Sequence, residues 1–430
     1  MNKPRLTFSQ IINMNVGFFG IQYSFGLQQT AIGPLYSFLG AKESELPILF
    51  LAGPVTGLLI QPLIGAISDK TWSPKWGRRK PFFLIGAILC SLTLFAFPFS
   101  RELWMAAGLL WILDAANNTA MEPYRAFIAD KLPEDQLAKG FLTQSFFTGL
   151  GITLANVSLF LFQKYINGQS EAGIPYWVYG SFLFGSFCSI SSVLWSVSKT
   201  PEIPPSPEEL DKMHAEKGGF FDPLFEIFSA IKEMPKVLWQ LALVYLFQWY
   251  ALFVYWQFIS LSIAKSVWNT SPDLDKHLYE EAAAWTGLVN GFYNIVTFLS
   301  AFFLVRVAEK YSPKFTHAGT LILAAIGLFI MPHIGDKYGL FLPMIGFGIA
   351  WASMMGVPYL IVVKDIPKEK YGVYMGIINM MIVVPMIIQT LSFGEIYNRF
   401  LDGDPRNAIM FAGSFLGIAA LLTLNIKTKK

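Results

Sequence analysis

Long apolar runs separated by short polar stretches fill this chain, and runs of about 20 such residues match the hydrocarbon thickness of a bilayer. They fall at 12–39, 47–68, 82–99, 103–128, 141–163, 176–198, 237–264, 282–305, 315–334, 340–363, 372–395 and 408–426. The runs are continuous rather than alternating, so they predict helices and not the strands of a closed barrel. The expected fold class is an all-α membrane protein with twelve transmembrane helices in two six-helix bundles. The bundles are residues 1–198 and 237–430, joined by a cytoplasmic linker at 199–236 that opens Thr200-Pro201-Glu202-Ile203-Pro204-Pro205. Two halves around a central cytoplasmic loop is a transporter layout, with a substrate site expected near mid-membrane.

The run at 103–128 departs from this apolar pattern, carrying Asp114, Asn117, Asn118, Glu122 and Arg125. At about 100° per residue these positions share an arc of roughly 140°. An ionised side chain at mid-bilayer is costly, so such a stripe faces protein, water or substrate rather than lipid. Asp114 lies about 16 Å into its helix, near the midplane. Desolvation there disfavours the carboxylate, so Asp114 can hold a proton in one state and release it when water or a cation approaches. Glu122 and Arg125 are three residues apart, closer to the cytoplasmic end, and are expected to pair and to latch a gate.

Composition agrees with lipid as the solvent: 54% of residues are hydrophobic and 14% charged, with a mean hydropathy of +0.47, outside the range of soluble globular chains. With the N-terminus inside, most of the 32 Lys and Arg fall in cytoplasmic segments, which predicts a multi-pass cell (inner) membrane protein with both termini in the cytoplasm. The net charge of +3 then reflects loop asymmetry and gives no reason to expect nucleic acid. The first span has polar positions at Asn13, Asn15, Gln22, Gln28 and Gln29 and no small-residue cleavage site, so no signal peptide is expected. Cys90 and Cys188 both fall within spans and suggest no disulfide framework. His214, His277, His317 and His333 stand singly in loops and at span ends, without metal-ligand spacing. No Gly-Lys-Ser/Thr phosphate loop is present, and no nucleophile and base converge. The chain reads as neither an enzyme nor an ATP-driven pump, and no cofactor or metal is expected.

Sugars present hydroxyls and apolar C–H faces, so a sugar site needs planar amides and aromatic rings. The spans supply both. Tyr245, Gln248, Trp249, Tyr255 and Trp256 fall on one side of the seventh, and Asn290, Tyr293 and Asn294 on one face of the eighth. The candidates for substrate contact are Gln22, Gln28, Asn117, Asn118, Gln144, Gln248, Trp249, Asn290, Asn294 and Trp351. Gln22 and Gln29 share a face by periodicity, so periodicity leaves open whether Gln28 or Gln29 joins the set.

After the second span, Gly65-Ala66-Ile67-Ser68-Asp69-Lys70 is followed by Gly77-Arg78-Arg79-Lys80-Pro81, which resembles the loop motif of the major facilitator superfamily. Asp69, Arg78 and Arg79 are therefore gating candidates beside Glu122 and Arg125. Within that superfamily the chain resembles the sucrose/proton symporters and their bacterial relatives, near the glycoside-pentoside-hexuronide transporters. The words that carry this are Gly20-Ile21-Gln22-Tyr23, Leu27-Gln28, Gly53-Pro54, Gln61-Pro62, Leu113-Asp114-Ala115-Ala116-Asn117-Asn118-Thr119 and Gly348-Ile349-Ala350-Trp351-Ala352. The resemblance marks Gln22 and Gln28, and it implies that Asp114 couples protons to transport. Bacterial chains with these words look like maltose or malto-oligosaccharide transporters. The expected activity is import of an α-linked disaccharide such as maltose or sucrose, or a short malto-oligosaccharide, by proton symport in a monomer. An uncoupled facilitator and a sugar-sensing membrane receptor are the alternatives.

Overall fold

A computed structural model describes residues 3–208, 210–211, 225, 231–362 and 371–427. Half of the 199–236 linker, His214 included, lies outside the described residues, as does the side chain of Asp69. Among the described residues twelve long helices follow one another: α1 (Phe8–Phe38), α2 (Ala52–Lys70), α3 (Lys80–Ala96), α4 (Leu103–Lys131), α5 (Glu134–Tyr165), α6 (Tyr176–Lys199), α7 (Lys236–Ile263), α8 (Lys276–Lys310), α9 (Pro313–Ile330), α10 (Phe341–Val362), α11 (Tyr371–Phe400) and α12 (Pro405–Leu424). Each covers one apolar run. Proline stands in the first turn of α3, α9 and α12, where its missing N–H leaves no gap in the helix. Strand pairing among the described residues is limited to isolated bridges, Ser73 to Gly77 and Gln169 to Pro175.

Nine segments among the described residues are long and apolar enough to cross a membrane. Helices α1, α4 and α8 are not among them. Their lengths are ample, at 31, 29 and 35 residues; in α1 and α4 the amides and Asp114 lower the mean hydropathy. A helix can carry such groups through lipid only if protein partners satisfy them.

Two compact units divide the chain. The first comprises Met1–Gln28, Val55–Ala155 and Tyr179–Glu226, the second Gln29–Pro54, Asn156–Val178 and Ile227–Lys430. Residues 29–54 and 156–178 therefore fall in one unit with the second half of the chain.

In the first unit a core of Met14, Phe18, Phe83, Ala120, Tyr124, Phe127 and Val193 joins α1, α3, α4 and α6. The Tyr124 hydroxyl donates to Met14 O at 2.6 Å, so its one polar group is satisfied inside the core. Gly86 of α3 sits where an added Cβ would lie 2.7 Å from both Ala116 O and Ala120 Cβ of α4. Small residues let membrane helices approach until backbones touch, and dispersion contacts follow. Gly86→Val is expected to force α3 from α4 at a cost of about 1–3 kcal/mol. Thermal unfolding in detergent checks this, and a melting temperature equal to wild type would mean the two helices do not need that approach.

In the second unit α7 is the central element, packed on α11 and α12, while α9 packs on α10 and α12 and α8 on α10. Burial on nearly all sides explains why α7 shows no single apolar stripe.

Candidate functional site

The polar stripe of α4 in the first unit is engaged residue by residue. Asp114 is 1% exposed, and Gln28 Nε2 of α1 donates to its Oδ1 at 2.6 Å. Asp114 Oδ2 and Gln28 Oε1 are both buried without a hydrogen-bond partner. Each is an acceptor without a donor, which a proton or a ligand hydroxyl would satisfy. Periodicity left Gln28 and Gln29 open; Gln28 is the glutamine that reaches Asp114.

Asn117 and Asn118 are bonded at both ends of their amides. Asn117 Nδ2 donates to Ser24 Oγ at 3.0 Å and its Oδ1 accepts from Cys90 Sγ at 3.4 Å. Asn118 Nδ2 donates to Thr56 Oγ1 at 3.1 Å and its Oδ1 accepts from Gln61 Nε2 at 2.6 Å. These bonds tie α4 to α1, α2 and α3 around Asp114, so the two asparagines form a frame. Gln22 Nε2 lies 3.9 Å from Met121 Sδ, a weak contact. Gln144 of α5 is buried with Nε2 unpartnered.

Glu122 and Arg125 pair as their spacing implies, Nη1 to Oε1 at 2.8 Å, with half of the Arg125 side chain exposed. The Gly-Arg-Arg loop is built around a residue that sequence reading did not single out. Glu202, just beyond α6, accepts from the backbone N–H groups of Arg78, Arg79 and Lys80 at 2.8–2.9 Å. A carboxylate there satisfies the orphan donors of the α3 N-terminus and complements its dipole. Gly77 has a φ of +81°, a backbone conformation that L side chains rarely adopt. Arg79 is 4% exposed, with Nε 2.7 Å from Asp130 Oδ2 and Nη1 2.6 Å from Ser68 Oγ. Lys131 donates to Pro201 O beside this cluster. Burial, then the Lys80 charge, hold the Lys131 ammonium below its ordinary pKa against the opposing pull of Glu202. Asp69 stands in the last turn of α2; its side chain lies outside the described residues.

A second polar cluster belongs to the second unit. Gln248 of α7 is fully buried, with Oε1 3.0 Å from His317 Nε2 of α9. His317 Nδ1 in turn lies 2.9 Å from Ser353 Oγ of α10. No local pattern links His317 to Gln248, 69 residues apart. Gln248 Nε2 and Trp249 Nε1 are buried donors without partners. Trp351 of α10 stands edge-on to Trp249 at 5.9 Å and to Trp256 at 5.6 Å. Three indoles with unpaired donors nearby suit the apolar faces and oxygens of a carbohydrate.

Asn290 and Asn294 of α8, by contrast, are bonded inside the fold. Asn290 Oδ1 accepts from the Tyr255 hydroxyl at 2.8 Å and its Nδ2 donates to Thr30 Oγ1 at 3.1 Å, while Thr30 donates onward to Asn156 Oδ1. Asn294 Nδ2 returns to Asn290 O at 2.8 Å. These two residues brace the second unit. Among the described residues no group of three or more His, Cys, Asp or Glu that could hold a metal ion occurs.

Comparison with known proteins places this architecture. The chain is 26% identical over 94% of its length to the sucrose transport protein SUC4 of Arabidopsis thaliana, covering 88% of that protein. It is 22% identical, again over 94% of its length, to the sucrose transport protein SUT5 of Oryza sativa subsp. indica, covering 85% of it. The crystal structure of the nucleoside transporter NupG superposes with a TM-score of 0.73 at 14% identity, over 98% of this chain and 99% of that one, and thereby supports the fold alone. The sequence profile of the Major Facilitator Superfamily matches residues 14–390. With an all-helical multi-pass architecture and a match spanning most of its length, this chain belongs to the Major Facilitator Superfamily and is a membrane transporter rather than an enzyme.

Proposed function

We propose that this transporter imports a glycoside together with protons, the preferred substrate being an α-linked disaccharide such as maltose or sucrose or a short malto-oligosaccharide. The observation that carries the reading is Asp114, a fully buried carboxyl with one oxygen held by Gln28 and the other without a partner. Ionised, it would have the Gln28 amide as its one donor and Oδ2 uncompensated; protonated on Oδ2, it is a neutral acid that also donates to a sugar hydroxyl. Loading and releasing that proton with the sugar links the two fluxes, because each ligand shifts the conformational equilibrium only through its differential affinity for the two states. The names of the two sucrose transport relatives and the tryptophans around Trp351 support the choice of a glycoside.

In this reading the candidate sugar contacts are Gln22, Gln28 and Gln144 within the first unit and Gln248, Trp249 and Trp351 within the second, while Asn117 and Asn118 brace α4 against α1, α2 and α3 and Asn290 and Asn294 brace α8. Asp69, Arg78, Arg79, Glu122 and Arg125 belong to gates. The two halves of the chain, 1–198 and 237–430, act as the two bundles of a monomer in the cell (inner) membrane with both termini in the cytoplasm.

Uptake of radiolabelled maltose, sucrose, trehalose and lactose into proteoliposomes, with and without an inward proton gradient, tests this. Maltose or sucrose is expected to accumulate at least several-fold above equilibrium only with the gradient. Uptake that ignores the gradient would make the protein an uncoupled facilitator, binding without uptake a receptor, and preference for a monosaccharide would overturn the substrate class.

A further inference from the structure

The His317 cluster carries a consequence for recognition that follows from counting hydrogens. A neutral imidazole has one N–H and one bare nitrogen. The ring is wholly buried and its two nitrogens face a serine hydroxyl and an amide, so a charged ring would lack compensation. Because Gln248 presents its carbonyl oxygen to Nε2, that nitrogen carries the hydrogen. Nδ1 is then bare and accepts from the Ser353 hydroxyl. Every atom in the chain from Ser353 through His317 to Gln248 Oε1 is satisfied, and the amide is left with one unused group, the donor Nε2.

Reversing the amide would require the other tautomer, with the hydrogen on Nδ1 and Ser353 accepting; the free end would then be the acceptor Oε1. The ring and the amide can only turn over together. Trp249, the next residue, offers a second unpartnered donor. Both free groups on this part of α7 are donors.

We propose that His317 is a positioning residue that fixes the Gln248 amide with its Nε2 donor free, so that α7 selects a ligand through an acceptor oxygen. The ligand class is a carbohydrate hydroxyl, ring or glycosidic oxygen, and to that extent the inference rests on the glycoside reading above. His317 itself does not touch the sugar. Its effect passes through Gln248.

The test pairs transport with a direct reading of the ring. His317→Leu removes both bonds at similar volume and is expected to raise the KM for the transported glycoside about tenfold, with the maximal rate within about twofold, as loss of a single oriented hydrogen bond does. His317→Gln returns an N–H near the position of ring Nε2 and is expected to recover KM to within about threefold. In a Gln248→Leu background His317→Leu should add nothing, because the two residues act through one bond. Among substrates altered one hydroxyl at a time, wild type should tolerate fluorine but not hydrogen at one position, and His317→Leu should lose that distinction, since fluorine accepts without donating. Multiplying effects of the two leucine substitutions, or failure of His317→Gln to recover KM, would overturn the assignment.

The ring nitrogens are read by 15N NMR of histidine-labelled protein, with the His317 signals identified by their loss in His317→Gln. A protonated Nε2 and bare Nδ1 are expected, with that preference weakened in Gln248→Leu. An Nδ1–H ring, or one indifferent to Gln248→Leu, overturns the inference even if no glycoside is transported; absent uptake with the expected ring would instead retire the glycoside reading and leave the donor-presenting amide in place.

Discussion

Asp114→Asn is expected to reduce proton-driven sugar accumulation in proteoliposomes to the equilibrium level, an accumulation ratio of about one, while sugar binding stays within a few-fold of wild type. Asparagine keeps the size of the side chain and an oxygen to accept from Gln28, so the bond at Oδ1 survives. It replaces the unpartnered Oδ2 by an amide that cannot gain or lose a proton. Counterflow, which needs binding and conformational exchange but no net proton movement, should persist. If the carboxyl served only packing, the neutral amide would meet the same neighbours at no ionic cost and accumulation would be nearly normal. Wild-type accumulation at matched protein density would remove Asp114 from the coupling step.

Replacing Glu202 should produce the second large effect, and it is one of stability and gating rather than binding. Three successive backbone N–H groups at the start of α3 converge on this carboxylate. Glu202→Leu leaves them without it, beside the buried Arg79 guanidinium. Loss of a helix cap costs about 1–2 kcal/mol, and charge-assisted bonds stand at the upper end. A fall of several degrees in melting temperature is expected, together with slower transport at an unchanged sugar dissociation constant. Glu202→Gln, which still accepts, should keep more than half of the lost stability. Equal losses in Gln and Leu would show that charge alone matters, and no loss in either would show that the α3 terminus finds other partners.

Local patterns made much of this legible. The runs at 82–99 and 408–426 became α3 and α12 within a few residues, because an apolar segment in lipid has no partner for its backbone except itself. The 100° rule put Asp114, Asn117 and Asn118 on one side of α4, and all three bond to α1–α3. Glu122 and Arg125 pair because a helix brings residues three apart together whatever surrounds it.

Other features were beyond local reading. Gln28 and Gln29 are adjacent, and periodicity alone paired Gln22 with Gln29; the bond from α1 to Asp114 of α4 is made by Gln28. Asn290 was marked by its face on α8, and the fold adds what that face does not show: its amide bonds Tyr255 and Thr30. Glu202 carried no sign of its role, since its partners lie more than 120 residues away. His317 was one solitary histidine among four until α7 and α10 closed around it.

By itself, then, the sequence determined the solvent, the helices and the lateral placement of each polar group, because hydropathy and helical period are properties of neighbours along the chain. Only the tertiary structure decided which of those polar groups keep a free hydrogen-bonding atom. Buried amides and carboxyls in lipid must be satisfied by whatever side chain the packing brings. Asn117 and Asp114, three residues apart on one helix, differ for that reason alone: one is bonded at both ends, and the other keeps an oxygen for a proton or a ligand donor.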